Sequence, residues 1–283
     1  MASPDEPRPG HLRCDLGTVA ATLRWVEWGP VDGAPVICVH GLTRTGRDFD
    51  ALAAVLADQG RRVICPDVFG RGFSDWLPDP ALYSVPVYAM AFQQLLRGLG
   101  RDCDWVGTSM GGLIGMAVAG GEHAPRRIVL NDVGPFIPAS ALRRIAAYLA
   151  LRPVFRDLEE LEAHLRLIHA PFGILSDAEW RHLAQTSARR TPEGGVVQHY
   201  DPAIAAPMLG NPIEDVDLWR LWESLAQPVL VLRGAESDLL DATTAAAMGA
   251  RDGVEVLTVP RCGHAPALTD PAQTGAVAGF LRL

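Results

Sequence analysis

Short runs of consecutive apolar, largely β-branched residues recur along the chain, separated by stretches whose apolar positions fall three and four apart. The runs are APVICVH (34–40), RRVICPD (61–67), CDWVGTS (103–109), RRIVLND (126–132), QPVLVLRG (227–234) and VEVLTVP (254–260). An unbroken apolar run predicts a strand buried on both faces. Between the runs, RDFDALAAVLADQG puts Phe49, Leu52, Ala53 and Leu56 on one helical face and stops at Gly60, and VPVYAMAFQQLLRGLG stops at Gly98 or Gly100. Strands and helices in alternation predict an α/β protein with a mostly parallel sheet.

From about Phe136 to Trp222 the rhythm changes. SALRRIAAYLAL, DLEELEAHLRLI, a capping-box start at Ser176 to Glu179 and DVDLWRLWESL predict helices without strands. The strand runs resume afterwards, so the expected organisation is a core made of residues 1–135 and 223–283, with 136–222 inserted as a helical cap. The opening MASPDEPRPG is polar and proline-rich and is expected to be a frayed arm. It lacks the apolar centre of a secretory signal, and no stretch of the chain approaches the roughly 18 apolar residues of a membrane span.

Composition narrows the chemistry. The 283 residues carry a formal charge of −8, which argues against a nucleic-acid partner, since phosphate neutralisation needs basic residues in excess. All 25 basic residues other than histidine are arginine, so a lysine nucleophile or Schiff base is excluded. The absence of lysine beside abundant glycine and alanine suggests a GC-rich, bacterial coding sequence. Five scattered cysteines (Cys14, Cys38, Cys65, Cys103 and Cys262) form no CxxC pair and fit reduced thiols of a cytoplasmic protein. The eight histidines show no ligand spacing for a metal, and no cofactor is expected.

One segment raises a catalytic question: GTSMGG, Gly107 to Gly112, lies between a predicted strand and a predicted helix. A serine there projects above the sheet only through a tight turn, and Gly107, Gly111 and Gly112 would make room for it. A nucleophilic serine needs a base, an acid that orients the base, and donors for the developing oxyanion. Upstream, VHGLTRTG offers the N–H of Leu42, and the N–H of Met110 follows the serine. Downstream, RCGHAP presents His264 just past a predicted strand, the place for a general base. LRGAESDLLD offers the acid, for which Asp238 is chosen; Asp132, Glu236 and Asp241 are its rivals. Cys262 stands two residues from His264 as a second nucleophile candidate, less well placed than Ser109 among its glycines.

These segments together resemble the α/β-hydrolase-fold proteins, the serine esterases and lactonases among them, over roughly His11 to the C-terminus. VHGLTRTGRDF, CPDVFGRGFSD, GTSMGG, GAESD and GHAP stand in the family's order. The resemblance implies an eight-stranded, mostly parallel sheet flanked by helices, a helical cap after the sixth strand, and a triad of Ser109, His264 and Asp238 with Leu42 and Met110 at the oxyanion hole. One departure stands out. Many relatives carry the acid three residues after the glycine that ends the strand, where this chain has Ser237, with Asp238 one further on. A serine rather than an aspartate nucleophile points to acyl chemistry.

The expected activity is hydrolysis of a carboxylic ester, a lactone or thioester included, through an acyl-enzyme, with a small-molecule ester as partner and neither nucleic acid nor membrane. The alternatives are carbon–carbon bond hydrolysis of a dienoate-type ring-cleavage product on the same triad, or a non-catalytic binding protein of this fold. Tyr148, Phe155, His169, Phe172, Trp180, His199, Tyr200, Trp219 and Trp222 are candidates for the pocket wall, with helix packing as the commoner role. Arg44 and Arg47 are read as exposed arginines at a helix start, with contact to an anionic substrate group as the alternative.

Overall fold

A computed structural model describes residues 7–100, 102–210 and 212–282. The first half of the chain runs β1 (Arg8–Asp15), β2 (Ala20–Trp28), β3 (Pro35–Val39), α1 (Asp50–Asp58), β4 (Arg62–Asp67), α2 (Val85–Leu99), β5 (Asp104–Thr108), α3 (Met110–Ala119) and β6 (Ile128–Asn131). Next come β7 (Phe136–Ile137), α4 (Ala139–Ala150), α5 (Leu158–Ile168), α6 (Asp177–Ser187), β8 (Ala188–Arg190), β9 (Val196–Gln198), α7 (Ala206–Leu209), β10 (Val216–Asp217) and α8 (Trp219–Glu223). The chain closes with β11 (Val229–Gly234), α9 (Ala242–Gly249), β12 (Val254–Val259) and α10 (Pro271–Phe280).

Eight strands form one sheet in the order β1-β2-β4-β3-β5-β6-β11-β12. From β4 onward the neighbours are parallel, while β1 and β2 pair antiparallel with each other and β2 antiparallel with β4. Every residue of β3 and β6 is buried, as their unbroken apolar runs require. β1 alternates half-buried and exposed positions instead, the signature of a strand at the sheet's edge. The expected arm therefore divides: residues 1–6 lie outside the described residues, and Arg8 to Gly10 are strand, with Arg8 opposite Glu27. Their polarity reflects one solvated face.

Local signals explain several boundaries. Phe49, Leu52, Ala53 and Leu56 are all buried where α1 meets the sheet. Gly100 ends α2 in the left-handed region at φ 61°, which a residue without Cβ enters without strain. Ser176 and Glu179 make the reciprocal capping box of α6.

Residues 136–217 leave the sheet after β6 and return before β11, yet β6 and β11 are adjacent. The segment is not wholly helical: β7 pairs with β10 and β8 with β9. Two- and three-residue ladders leave too little period-two pattern to be read in the sequence. DVDLWRLWESL, in particular, is a strand residue pair followed by the five-residue α8.

Candidate active site

Ser109 sits in the turn between β5 and α3 with φ 52° and ψ −116°, a backbone conformation costly for any residue bearing a Cβ. The surrounding glycines make it feasible. A Cβ on Gly107 would lie 2.3 Å from the Gly111 carbonyl oxygen, and one on Gly111 would lie 1.9 Å from the Val39 oxygen. A side chain at either position would push helix and strands apart, so the glycines bring the first turn of α3 against the ends of β3 and β5.

Ser109 Oγ lies 2.9 Å from His264 Nε2, and His264 Nδ1 lies 2.8 Å from Asp132 Oδ2. The three side chains form one hydrogen-bonded chain, although they are far apart in sequence. His264 is reached through the loop after β12, and Asp132 directly follows β6. The acid expected at Asp238 is elsewhere: its carboxylate is exposed and takes two hydrogen bonds from Arg144, at 2.6 and 2.8 Å. Burial works against its charge, but the Arg144 guanidinium prevails and holds its pKa below the ordinary aspartate value. Glu236 is exposed, and Asp241 accepts from the Thr244 N–H as the cap of α9.

Asp132 is fully buried and held from three sides. Gly234 N–H donates to Oδ1 at 2.7 Å, and Oδ2 accepts both from Ser237 Oγ at 2.6 Å and from the imidazole. Ser237, which holds the spacing where an acid was sought, thus serves the carboxylate of the neighbouring strand. Its oxygen also accepts from the N–H groups of Leu239 and Leu240, at 3.2 and 3.1 Å. The departure visible in the sequence was the signal: a serine in the acid's place coincides with an aspartate one strand over.

Leu42 and Met110 border the same cavity as Ser109. Met110 is the first residue of α3, whose N–H has no intrahelical acceptor. The Leu42 carbonyl accepts from Arg71 Nε at 2.8 Å, and Arg71 also reaches Met110 Sδ at 3.5 Å. Arg71 is wholly buried and lies under both Tyr83 and Tyr88, with Tyr88 Oη accepting at 2.8 Å. Sequence reasoning passed over Arg71, which looks like any loop arginine in CPDVFGRGFSD.

Two further residues, in VHGLTRTG and CPDVFGRGFSD, brace the loops. His40 is buried and its basicity is pushed down to about 3, chiefly by that burial, so the ring is neutral. It donates from Nδ1 to the Gly41 carbonyl and accepts at Nε2 from Val68 N–H. Asp67 accepts from the N–H groups of Gly46 and Phe73, while burial raises its pKa to about 6.

Ser109 opens on two cavities. One is walled by His264, Arg44, Arg144, Tyr148, His169 and Phe172 among others. The second is lined by Leu42, Met110, Leu113, Ile137, Leu142 and Leu239 among others, and by Arg71. Tyr148, His169 and Phe172 are thus wall residues, whereas Phe155, Trp180 and Trp222 are buried in packing. Arg44, expected to be exposed, is 3 % exposed and paired with Asp48; Arg47 pairs with Asp50 outside the cavity lining.

Cys262 lies in a different cavity from Ser109, with its thiol pushed up to about 12 by burial first and by the Asp132 and Glu236 charges. A thiol so protonated is a poor nucleophile. Among the described residues no three His, Cys, Asp or Glu side chains are grouped to hold a metal, and no helix is long and apolar enough to cross a membrane.

Comparison with known proteins gives a family and relatives. Residues 36–277 match the model of the alpha/beta hydrolase family. The chain is 44% identical to a 3-hydroxybutyrate-oligomer hydrolase of Cupriavidus necator, over 94% of this chain and 95% of that one. It is 27% identical to a 2-(acetamidomethylene)succinate hydrolase of Mesorhizobium japonicum, covering 89% and 87% of the two chains. A solved alpha/beta hydrolase of Novosphingobium aromaticivorans superposes with TM-score 0.88 at 34% identity, covering 98% of each chain.

Proposed function

The chain belongs to the alpha/beta hydrolase family, and from that premise we propose that it is a serine hydrolase cleaving a carboxylic ester through an acyl-enzyme. The observation that carries the reading is the unbroken hydrogen-bonded chain from Ser109 through His264 to Asp132 at the ends of the parallel strands. Ser109 Oγ attacks the ester carbonyl while His264 Nε2 takes its proton. Asp132, in place of Asp238, keeps the imidazole proton on Nδ1 and stabilises the imidazolium. The N–H groups of Leu42 and Met110 receive the oxyanion. His264 then protonates the departing alcohol, and water repeats the sequence on the acyl-enzyme.

Residues 136–222 act as the cap that closes the cavities, and the reaction needs no cofactor. The five cysteines, all free, support a cytoplasmic setting. The substrate is a small ester. The likeness to a protein named for 3-hydroxybutyrate oligomers supports a short linear oligoester of a hydroxy acid.

The test is hydrolysis of p-nitrophenyl acetate, butyrate and octanoate and of a 3-hydroxybutyrate trimer, by the protein and its Ser109→Ala variant, with mass spectrometry after a fluorophosphonate probe. Expected are an adduct on Ser109 and a rate loss of about 10⁵–10⁶-fold in the variant. No adduct, with equal background rates for both proteins, would overturn the reading.

A further inference from the structure

Ser109 stands between two cavities of different chemistry. His264 walls the first and is missing from the lining of the second. An imidazole that protonates a departing alcohol must lie on the alcohol's side of the ester. On the proposed ester-hydrolase reading, the first cavity therefore receives the leaving group and the second, apolar one the acyl chain.

The leaving-group cavity holds two buried polar atoms without partners. Arg44 gives Nε and Nη2 to Asp48, at 2.9 and 2.7 Å, whereas its Nη1 has no hydrogen-bond partner among the described residues. His169 Nε2 is likewise unpartnered, on a ring 7 % exposed and stacked on Phe172. Burial foremost, and then the Arg44 charge among others, holds His169 well below the ordinary histidine value, so it is neutral and carries one ring proton. Arg44 is close to the nucleophile: a Cβ built on Gly41 would lie 3.7 Å from Ser109 Cβ and 4.0 Å from Arg44 Cγ. The cavity wall carries Arg44, paired with Asp48, and Arg144, paired with Asp238.

A buried guanidinium N–H left unpaired is costly, and a carboxylate oxygen is its strongest partner. We propose that this cavity is a carboxylate subsite: Arg44 Nη1, with His169 Nε2, receives a free carboxylate carried by the leaving alcohol. The protein then removes hydroxy acid units from the carboxyl end of an oligoester. In a 3-hydroxy acid unit one methylene separates the carbinol carbon from the carboxylate, so the leaving unit is short. The step balances: the bond between the acyl carbon and the terminal unit's oxygen breaks, and the proton taken from Ser109 returns through His264 to that oxygen. A hydroxy acid leaves, and water releases the shortened acyl chain as an acid.

The experiment compares 3-(butanoyloxy)butanoate with its methyl ester, following butanoate release by mass spectrometry. The wild-type protein is expected to prefer the free acid in kcat/KM by about tenfold or more, the worth of one charge-assisted hydrogen bond. Arg44→Met is expected to bring the ratio to about one, and Arg44→Lys to leave it between, because an ammonium keeps the charge without the fork. The wild-type comparison stands even if a variant fails to fold. Butanoate released equally from both compounds by the wild type would overturn the subsite and leave the ester-hydrolase reading intact. A full preference retained in Arg44→Met would also overturn it. Release from neither compound would overturn that reading and the subsite with it.

Discussion

The loops after β6 and β11 leave adjacent strands, and each carries an aspartate, yet the two acids occupy opposite surroundings. Asp132 is fully buried, and its oxygens are matched by a backbone N–H, a hydroxyl and the imidazole. Asp238 is exposed and bound to a surface arginine. The difference teaches what an orienting acid requires. It must be held by donors that already exist in the folded protein, where solvent does not compete for the carboxylate. The β11 loop contributes to this without supplying the charge, through Gly234 N–H and Ser237 Oγ.

The comparison breaks most sharply at Asp132. Asp132→Asn is expected to lower kcat toward p-nitrophenyl butyrate by about 10⁴-fold, since an amide favours the wrong imidazole tautomer. A loss no greater than that of Asp238→Ala would return the role to the β11 loop. A carboxylate moved across strands should regain part of this loss: Asp132→Ala combined with Ser237→Asp is expected to recover about tenfold over Asp132→Ala alone, measured by the same assay, because each tenfold corresponds to about 1.4 kcal/mol of transition-state stabilisation. Ser237→Ala removes one donor to Asp132, a loss of about 1 kcal/mol that should appear as a roughly fivefold lower kcat. The smallest effect belongs to Asp238→Ala. An exposed ion pair contributes little, so thermal unfolding should shift by less than about 3 °C, with kcat within about twofold.

Legibility followed the same division. The strands built from unbroken apolar runs appear within two residues of their predicted ends; β3 and β6 are wholly buried as expected, whereas β12, at the far edge of the sheet, has four consecutive exposed residues. β1 and β2 are not predicted individually, because their exposed and half-buried positions interrupt the apolar run that marks the inner strands. The short ladders β7–β10 and β8–β9 are held by partners remote in sequence. The sequence predicts an exposed Arg44 because an arginine at a helix start usually is, whereas the side chain is buried. The segment between β6 and β11 brings Arg144, Tyr148 and His169 onto the cavity that Arg44 lines.

The order of Ser109 and His264, their positions at strand ends and the glycines that allow the Ser109 turn were all determined by the sequence itself. The turn itself depends on local sterics: a Cβ at Gly107 would lie 2.3 Å from the Gly111 carbonyl oxygen. Which acid meets His264 was decided only by tertiary structure. Asp132 and Asp238 both follow a strand, the sequence favours Asp238, and the outcome depends on which carboxylate the packed sheet buries beside the imidazole. The same holds for the unpaired Nη1 of Arg44, because a donor is left without a partner only once the rest of the fold has taken up the other partners.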